Sequence, residues 1–300
     1  MMVGLYALDS ALLDDVAKLM TKTIIQLERS VFLVKFYDTI GSFYLAEALE
    51  YIQSWNKAMP SNPTGICGPI GPTEQLPLVA LLVNSLELNL RNCHFLRMNE
   101  WVVGGKEIDE SHSLSFAKAD SDLLLNLIRK DLRMPVENIH FSSVFGLSGF
   151  TDSFRQFTCM VIQGGQGEVK HWAFNNLPKR VAPYLEEPPT PEVYRKQSTR
   201  IMDMHPMTII KNARTSGGGV VSNVPIQALS VGHVETWLSK RVSIWHAGFH
   251  DNQFGMRLTA FLISKVIMDS AVLMSLLADH SDVIFNCYRP GLGVCDAGMH

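Results

Sequence analysis

The chain has 300 residues, enough for one large α/β domain with a substantial core. Hydrophobic residues make up 47% and charged residues 18%, which excludes a disordered chain, and a net charge of −3 leaves no electrostatic case for nucleic acid or an anionic membrane surface. The five cysteines (Cys67, Cys93, Cys159, Cys287, Cys295) are odd in number and lack Cys-x-x-Cys spacing, which argues for reduced thiols and against a disulfide framework or zinc site. Asp14 and Asp15 interrupt the apolar N-terminus, so no signal-peptide core is expected. No run approaches the roughly 18 apolar residues of a membrane span. A soluble, cytoplasmic protein without nucleic-acid or membrane partners is the expectation.

Ser10 suits an N-cap, and Leu12, Leu13, Val16, Leu19 and Ile24 recur at helical spacing, which predicts a helix over 10–28. A second helix is expected over 42–55. Residues 59–72, Met-Pro-Ser-Asn-Pro-Thr-Gly-Ile-Cys-Gly-Pro-Ile-Gly-Pro, are punctuated by Pro and Gly and predict a loop. Helix resumes over 74–88, and residues 93–96 read as a strand ending at Arg97-Met98-Asn99-Glu100-Trp101. A helix near 119–131 leads through a turn at Met134-Pro135 to a short strand, and 157–162 is a further strand. Residues 177–200 are proline-rich and charged, a surface excursion, and 214–219 form a second flexible segment. Strands are expected at 226–231, 242–245 and 283–285, with 254–277 largely helical and Met202, Met204 and Met207 filling the core. Strands alternating with helices imply a mainly parallel sheet covered on both faces, in a single α/β domain over 1–300.

The most informative stretch is 161–176, Val-Ile-Gln-Gly-Gly-Gln-Gly-Glu-Val-Lys-His-Trp-Ala-Phe-Asn-Asn. A short apolar run enters a glycine-rich turn containing Gly165 and Gly167, and His171 follows at once. A strand that ends in glycines and delivers a histidine to the sheet edge is how open α/β folds build active sites.

His171 with its Ala173-Phe174-Asn175 tail resembles the Gly-x-Asp-Gly-His-x-Ala-Phe-Asn-Glu signature of the glucosamine-6-phosphate deaminase/isomerase family. Leu96-Arg-Met-Asn-Glu-Trp-Val is similar to that family's Phe-Asn-Met-Asp-Glu-Tyr-Val, and His112-Ser-Leu-Ser-Phe to its His-Pro-x-Ser-Tyr, with residues 104–111 extra before it. Met134-Pro-Val-Glu-Asn-Ile and Val224-Pro-Ile-Gln-Ala-Leu-Ser-Val-Gly follow in family order, so the resemblance covers roughly 63–290. Counting back from Asn99 without a gap places Pro72 on the proline of the family's phosphate loop. Gly68, Gly71 and Thr73 would then border a phosphate, although the loop sequence is little retained. In the other assignment 32–41 is the first strand and turn, and the Pro/Gly segment is an insertion. The resemblance implies a Rossmann-like parallel sheet with its site at the carboxyl ends of the strands. It also implies a small-molecule sugar-phosphate ligand, no metal and no organic cofactor, and it is compatible with a homo-oligomer.

Acid/base residues carry over unevenly. The family's proton-transferring aspartate falls on Asn99, an amide without useful basicity, leaving Glu100 as the nearby carboxylate that could replace it if the strand twists or bulges. The aspartate before the histidine becomes Val169, and the glutamate after Ala-Phe-Asn becomes Asn176, so the imidazole is expected to lose its fixed tautomer and raised basicity unless Glu168 compensates. The lysine expected after Gly248 is replaced by Phe249-His250-Asp251-Asn252. Arg214 is a candidate phosphate clamp and His112 a candidate substrate contact, each also readable as an exposed loop side chain, with Lys211 and Arg257 weaker candidates for the clamp. His246 and His250 lack the partners of a metal site.

Two enzyme classes and one non-enzyme fit these residues. One is a hexosamine 6-phosphate isomerase/deaminase using His171, Glu100, Asn99 and Asn176. A second is a lactone hydrolase, since the 6-phosphogluconolactonases share the fold and carry Gly-x-Gly-Glu-Asp-Gly-His, similar to Gly165-Gln-Gly-Glu-Val-Lys-His171. The third is a catalytically silent sugar-phosphate-binding regulator.

Overall fold

The computed structural model describes residues 8–68, 73–176, 181–248 and 252–295. Helices α1 (Ser10–Ala17) and α2 (Thr21–Ile25) open the chain and are followed by β1 (Phe32–Tyr37), α3 (Ile40–Trp55), β2 (Thr64–Gly68) and α4 (Gln75–Ser85). Next come β3 (Cys93–Arg97), β4 (Asn99–Val103), β5 (Lys106–Glu107), α5 (Phe116–Leu123), β6 (Ile139–His140), α6 (Leu147–Gln156) and β7 (Thr158–Gly164). The last third holds α7 (Pro191–Arg195), β8 (Arg200–Asp203), α8 (Pro206–Thr215), β9 (Gln227–Ser230), α9 (His233–Leu238), β10 (Val242–His246), α10 (Gln253–Lys265) and β11 (Val283–Tyr288).

Among the described residues the main sheet has seven strands in the order β1-β11-β10-β7-β2-β3-β6, every pair parallel. Parallel strands need crossover helices, and these cover both faces. The period-2 alternation is visible where two core clusters divide the strands between them. Cys67, Leu96 and Ile162 point into one. Ile66, Phe95 and Val161 point into the other, under α3 and α4. The α/β fold class and the parallel sheet expected from the sequence are present.

Several local expectations are corrected. The 59–72 loop contains β2, a fully buried central strand. Its glycines are there for space: a Cβ on Gly65 would sit 2.4 Å from the Phe157 ring, and one on Gly68 would sit 2.2 Å from the Tyr51 hydroxyl. Residues 32–37 are also a strand, at the sheet edge, with Phe32 and Val34 buried and Leu33 and Lys35 exposed. The predicted helix over 10–28 is two short helices, because the chain turns at Lys18. The helix near 119–131 starts earlier and ends at Leu123. The 254–277 helix stops at Lys265, where Val266 takes a left-handed conformation, before a 3-10 segment Leu273–Asp279. Arg214 and Thr215 belong to the last turn of α8, and only the glycines beyond them form a turn, with Gly218 and Gly219 at φ 66° and 83°. Tyr194 of the expected surface excursion is buried, whereas Met207 is exposed.

The four-stranded antiparallel sheet β5-β4-β9-β8 was not foreseen. The chain leaves β3 at Arg97 and enters β4 at Asn99, crossing from one sheet to the other within Met98. Trp101, Ala228 and Met202 pack a third cluster behind this second sheet. Asn99 therefore sits at the seam of the two sheets.

Candidate active site

β7 ends at Gly164, whose missing Cβ makes room for the Trp172 ring, 2.7 Å from where that atom would be. The turn then folds back under itself. A Cβ on Gly167 would sit 2.4 Å from Cε1 of His171, so only glycine lets the imidazole pack beneath the turn. Lys170 and Ala173 both hold φ at 52°, a conformation costing a non-glycine residue about 1–2 kcal/mol. The fully buried Trp172 anchors the segment by donating its indole N–H to Thr236 Oγ1 at 2.9 Å. Strained backbone of this kind persists only where surrounding packing holds it, and it concentrates at functional sites.

His171 is buried, and its Nδ1 lies 3.0 Å from Asn176 Oδ1. Thr208 Oγ1 donates to that same oxygen at 3.3 Å, while Asn176 Nδ2 faces the Asp203 carbonyl at 3.5 Å. With Oδ1 turned to the ring, Nδ1 carries the proton and Nε2 is left as the acceptor. The tautomer expected to be lost is thus held by an amide in place of a carboxylate. Basicity is another matter. The imidazole is pushed down to about 4, chiefly by burial, with Lys211, His205 and Lys170 adding to the effect and the Asn176 bond opposing it. Glu168 does not compensate: its carboxylate faces Arg214 and Asn252, each at 3.5 Å.

Asn99 and His171 line one cavity of about 610 Å³ at the carboxyl ends of the central strands. Asn99 Oδ1 accepts from Ser230 Oγ at 2.5 Å, and Ser230 Oγ accepts from Phe174 N–H at 2.9 Å, so one hydroxyl ties the seam of the sheets to the histidine segment. Trp101 and Phe174, with ring centroids 5.1 Å apart, give the cavity an aromatic wall. Lys211 is the cationic ammonium on the described wall, and its Nζ donates to the Gln166 carbonyl at 3.4 Å. Gly165, Gly167 and Thr73 line the same cavity.

The remaining candidates are placed elsewhere. Glu100, expected as the replacement base, points away from the cavity, as its neighbour's opposite orientation on a strand requires. Its buried carboxylate pairs with Arg97 at 3.1 Å and accepts from the N–H groups of Trp101, Phe116 and Ala117 at 2.9–3.1 Å, capping α5. That is a structural duty with no acceptor capacity left for substrate. Arg214 is largely exposed and is not part of the cavity wall. His112 borders a neighbouring groove. Gly68 ends β2 against Tyr51, and Gly71, Pro72 and the Phe249–Asp251 segment with His250 fall outside the described residues. Arg257 is fully buried and donates to the carbonyls of Leu19, Leu292 and Gly293, which makes it a core cross-link. His246 is buried in the core. Among the described residues no group of three His, Cys, Asp or Glu side chains could hold a metal ion. Of the further lining residues Gln166 and Thr208, Gln166 stands between two glycines of the turn, whereas Thr208 carries no local sequence signal.

No protein-family model and no curated protein matches the sequence. Solved structures do match. A monomeric glucosamine-6-phosphate deaminase, described as the missing link of the NagB superfamily, superposes with a TM-score of 0.66 at 16% identity, covering 86% of this chain and 98% of that one. The 6-phosphogluconolactonase of Leishmania guyanensis gives 0.59 at 12% identity over 88% and 98%, and that of Thermotoga maritima 0.55 at 10% over 85% and 99%. The chain has the fold that these deaminases and lactonases share. Among the described residues no helix is long and apolar enough to cross a membrane.

Proposed function

We propose that the cavity beside His171 binds a sugar phosphate and that this single histidine carries its chemistry, which favours hydrolytic opening of a sugar-lactone phosphate over deamination. The observation behind this is the pair Asn99 and Glu100: the residue facing the cavity is an amide, and the carboxylate next to it is consumed behind the sheet. Moving a proton between neighbouring carbons needs a base that an amide cannot provide. Glu74, the carboxylate on the described wall, is exposed and accepts from Thr73 N–H.

Lactone hydrolysis asks less. Water attacks the carbonyl carbon as Nε2 takes its proton; the ring C–O bond breaks, and the departing alkoxide recovers a proton from the imidazolium. Asn176 holds the ring for this, Lys211 offers a cation to a phosphate, and the Trp101–Phe174 wall suits the apolar face of a sugar. A second reading, a binding protein without turnover, is favoured by the depressed basicity of His171.

The test is turnover of 6-phosphogluconolactone, glucosamine 6-phosphate and galactosamine 6-phosphate, with His171→Ala as control. Acid release from the lactone above its spontaneous rate, lost in the variant, is the expected result, with no ammonia from either amino sugar. Ammonia that disappears in His171→Ala would overturn the proposal and restore the isomerase/deaminase. A ligand-induced rise in melting temperature without turnover selects the binding protein, and no rise at all rejects the substrate class.

A further inference from the structure

Beside the His171 cavity runs a second one of about 750 Å³. The two share Ser113, Leu114, Ser216 and Val224, so they meet along a common border. Ligand pockets span roughly 300–1,000 Å³, so the first cavity, at about 610 Å³, is already large enough for one small ligand. The second is therefore in excess of what such a ligand needs.

One wall of this groove is built by residues 104–111, the stretch that extends beyond the deaminase-like pattern. The wall is ordered by its own bonds. Ile108 N–H donates to the Trp101 carbonyl at 2.9 Å, Ser111 N–H to Asp109 Oδ1 at 2.8 Å, and Val144 N–H to Glu107. Trp101 thus supports the groove through its backbone while its ring lines the first cavity. The facing wall comes from Ser216–Gly217 and the 222–225 turn.

Chemistry narrows the occupant. Ile108 and Val224 are buried and form an apolar floor. Around them stand hydroxyls and an amide from Ser113, Ser216, Ser222 and Asn223. Lys106 faces two carboxylates, Glu107 and Asp109, so the groove has no excess positive charge to hold a second phosphate. An apolar floor under neutral hydrogen-bonding groups matches a hexose ring, which offers an apolar face and a rim of hydroxyls.

We propose that the groove extends the ligand site and receives a second, uncharged, hydroxylated ring attached to the sugar phosphate held beside His171. The inference rests on the sugar-phosphate reading of the first cavity, and the experiment separates the two. Calorimetry compares hexose 6-phosphates with a panel of disaccharide phosphates bearing an uncharged hexose on a ring hydroxyl of the phosphorylated unit. At least one disaccharide is expected to bind about tenfold more tightly than its parent. Val103→Trp and Ser222→Trp fill the groove from opposite walls and lie outside the first cavity. Both should abolish that gain while leaving monosaccharide affinity unchanged. Disaccharides that bind no better than their parents, or a gain that survives both variants, would overturn the extension while leaving the sugar-phosphate reading intact. Silence from mono- and disaccharides alike rejects that reading, and the extension with it.

Discussion

At the scale of single residues, the exchange of a carboxylate for Asn176 separates two jobs that usually travel together. An amide oxygen still orients an imidazole, but it adds no negative charge to stabilise the protonated ring. Asn176→Asp should therefore raise the His171 pKa above its value of about 4, read from the imidazole resonances in an NMR pH titration. An unmoved titration would show that burial alone sets the basicity. Asn176→Leu removes the orienting acceptor, and the His171-dependent activity is expected to fall on the order of 10- to 100-fold. The loss of a carboxylate was legible in the residue type, but the groups that hold Asn176 in place, Thr208 and the Asp203 carbonyl, come from 32 and 27 positions away.

At the scale of elements, Glu100 and Gly65 show how packing assigns meaning to a residue. Glu100 holds Arg97 and the first turn of α5 in one buried network. Removing one member of a buried ion pair leaves the other uncompensated, so Glu100→Ala should cost about 3–5 kcal/mol in urea unfolding. The protein that remains folded should keep its ligand affinity. Lost turnover with unchanged stability would instead return Glu100 to the chemistry. In β2, Gly65→Ala pushes a methyl into the Phe157 ring, an overpacking expected to cost about 1–3 kcal/mol by the same measurement. A glycine between prolines reads locally as a loop; only the neighbouring strands β3 and β7 and the Phe157 ring turn it into a sheet centre.

At the scale of the molecule, histidines that the fold keeps neutral contribute to acid sensitivity. His94 and His140 stack with Phe157, their ring nitrogens 2.9 Å apart, and burial followed by the His140 charge lowers His94 to about 4. A histidine whose folded pKa lies below its unfolded value near 6.5 contributes stability above that value. The contribution is lost as pH falls from 6.5 through about 4. Buried Glu47 is shifted upward and works in the opposite direction, so the whole-protein curve mixes both signs. The difference between wild type and His94→Gln isolates the histidine. The variant should lose less stability between neutral pH and pH 4, measured by urea midpoints. Equal slopes would exclude His94 as a source of acid sensitivity.

The strand that ends in glycines at Gly164 and presents His171, the alternation of strands and helices, and the parallel sheet were legible in the sequence. Periodicity and turn chemistry are local properties, carried by residues a few positions apart. Tertiary structure decided what no local window contains. It made 64–68 a buried central strand, opened a second sheet at Met98, bound Glu100 to Arg97 and the first turn of α5, and tied Asn99 to Ser230 across 131 positions. Each of those outcomes depends on which distant groups share a low-dielectric interior, where every buried polar atom needs a partner and every side chain needs room.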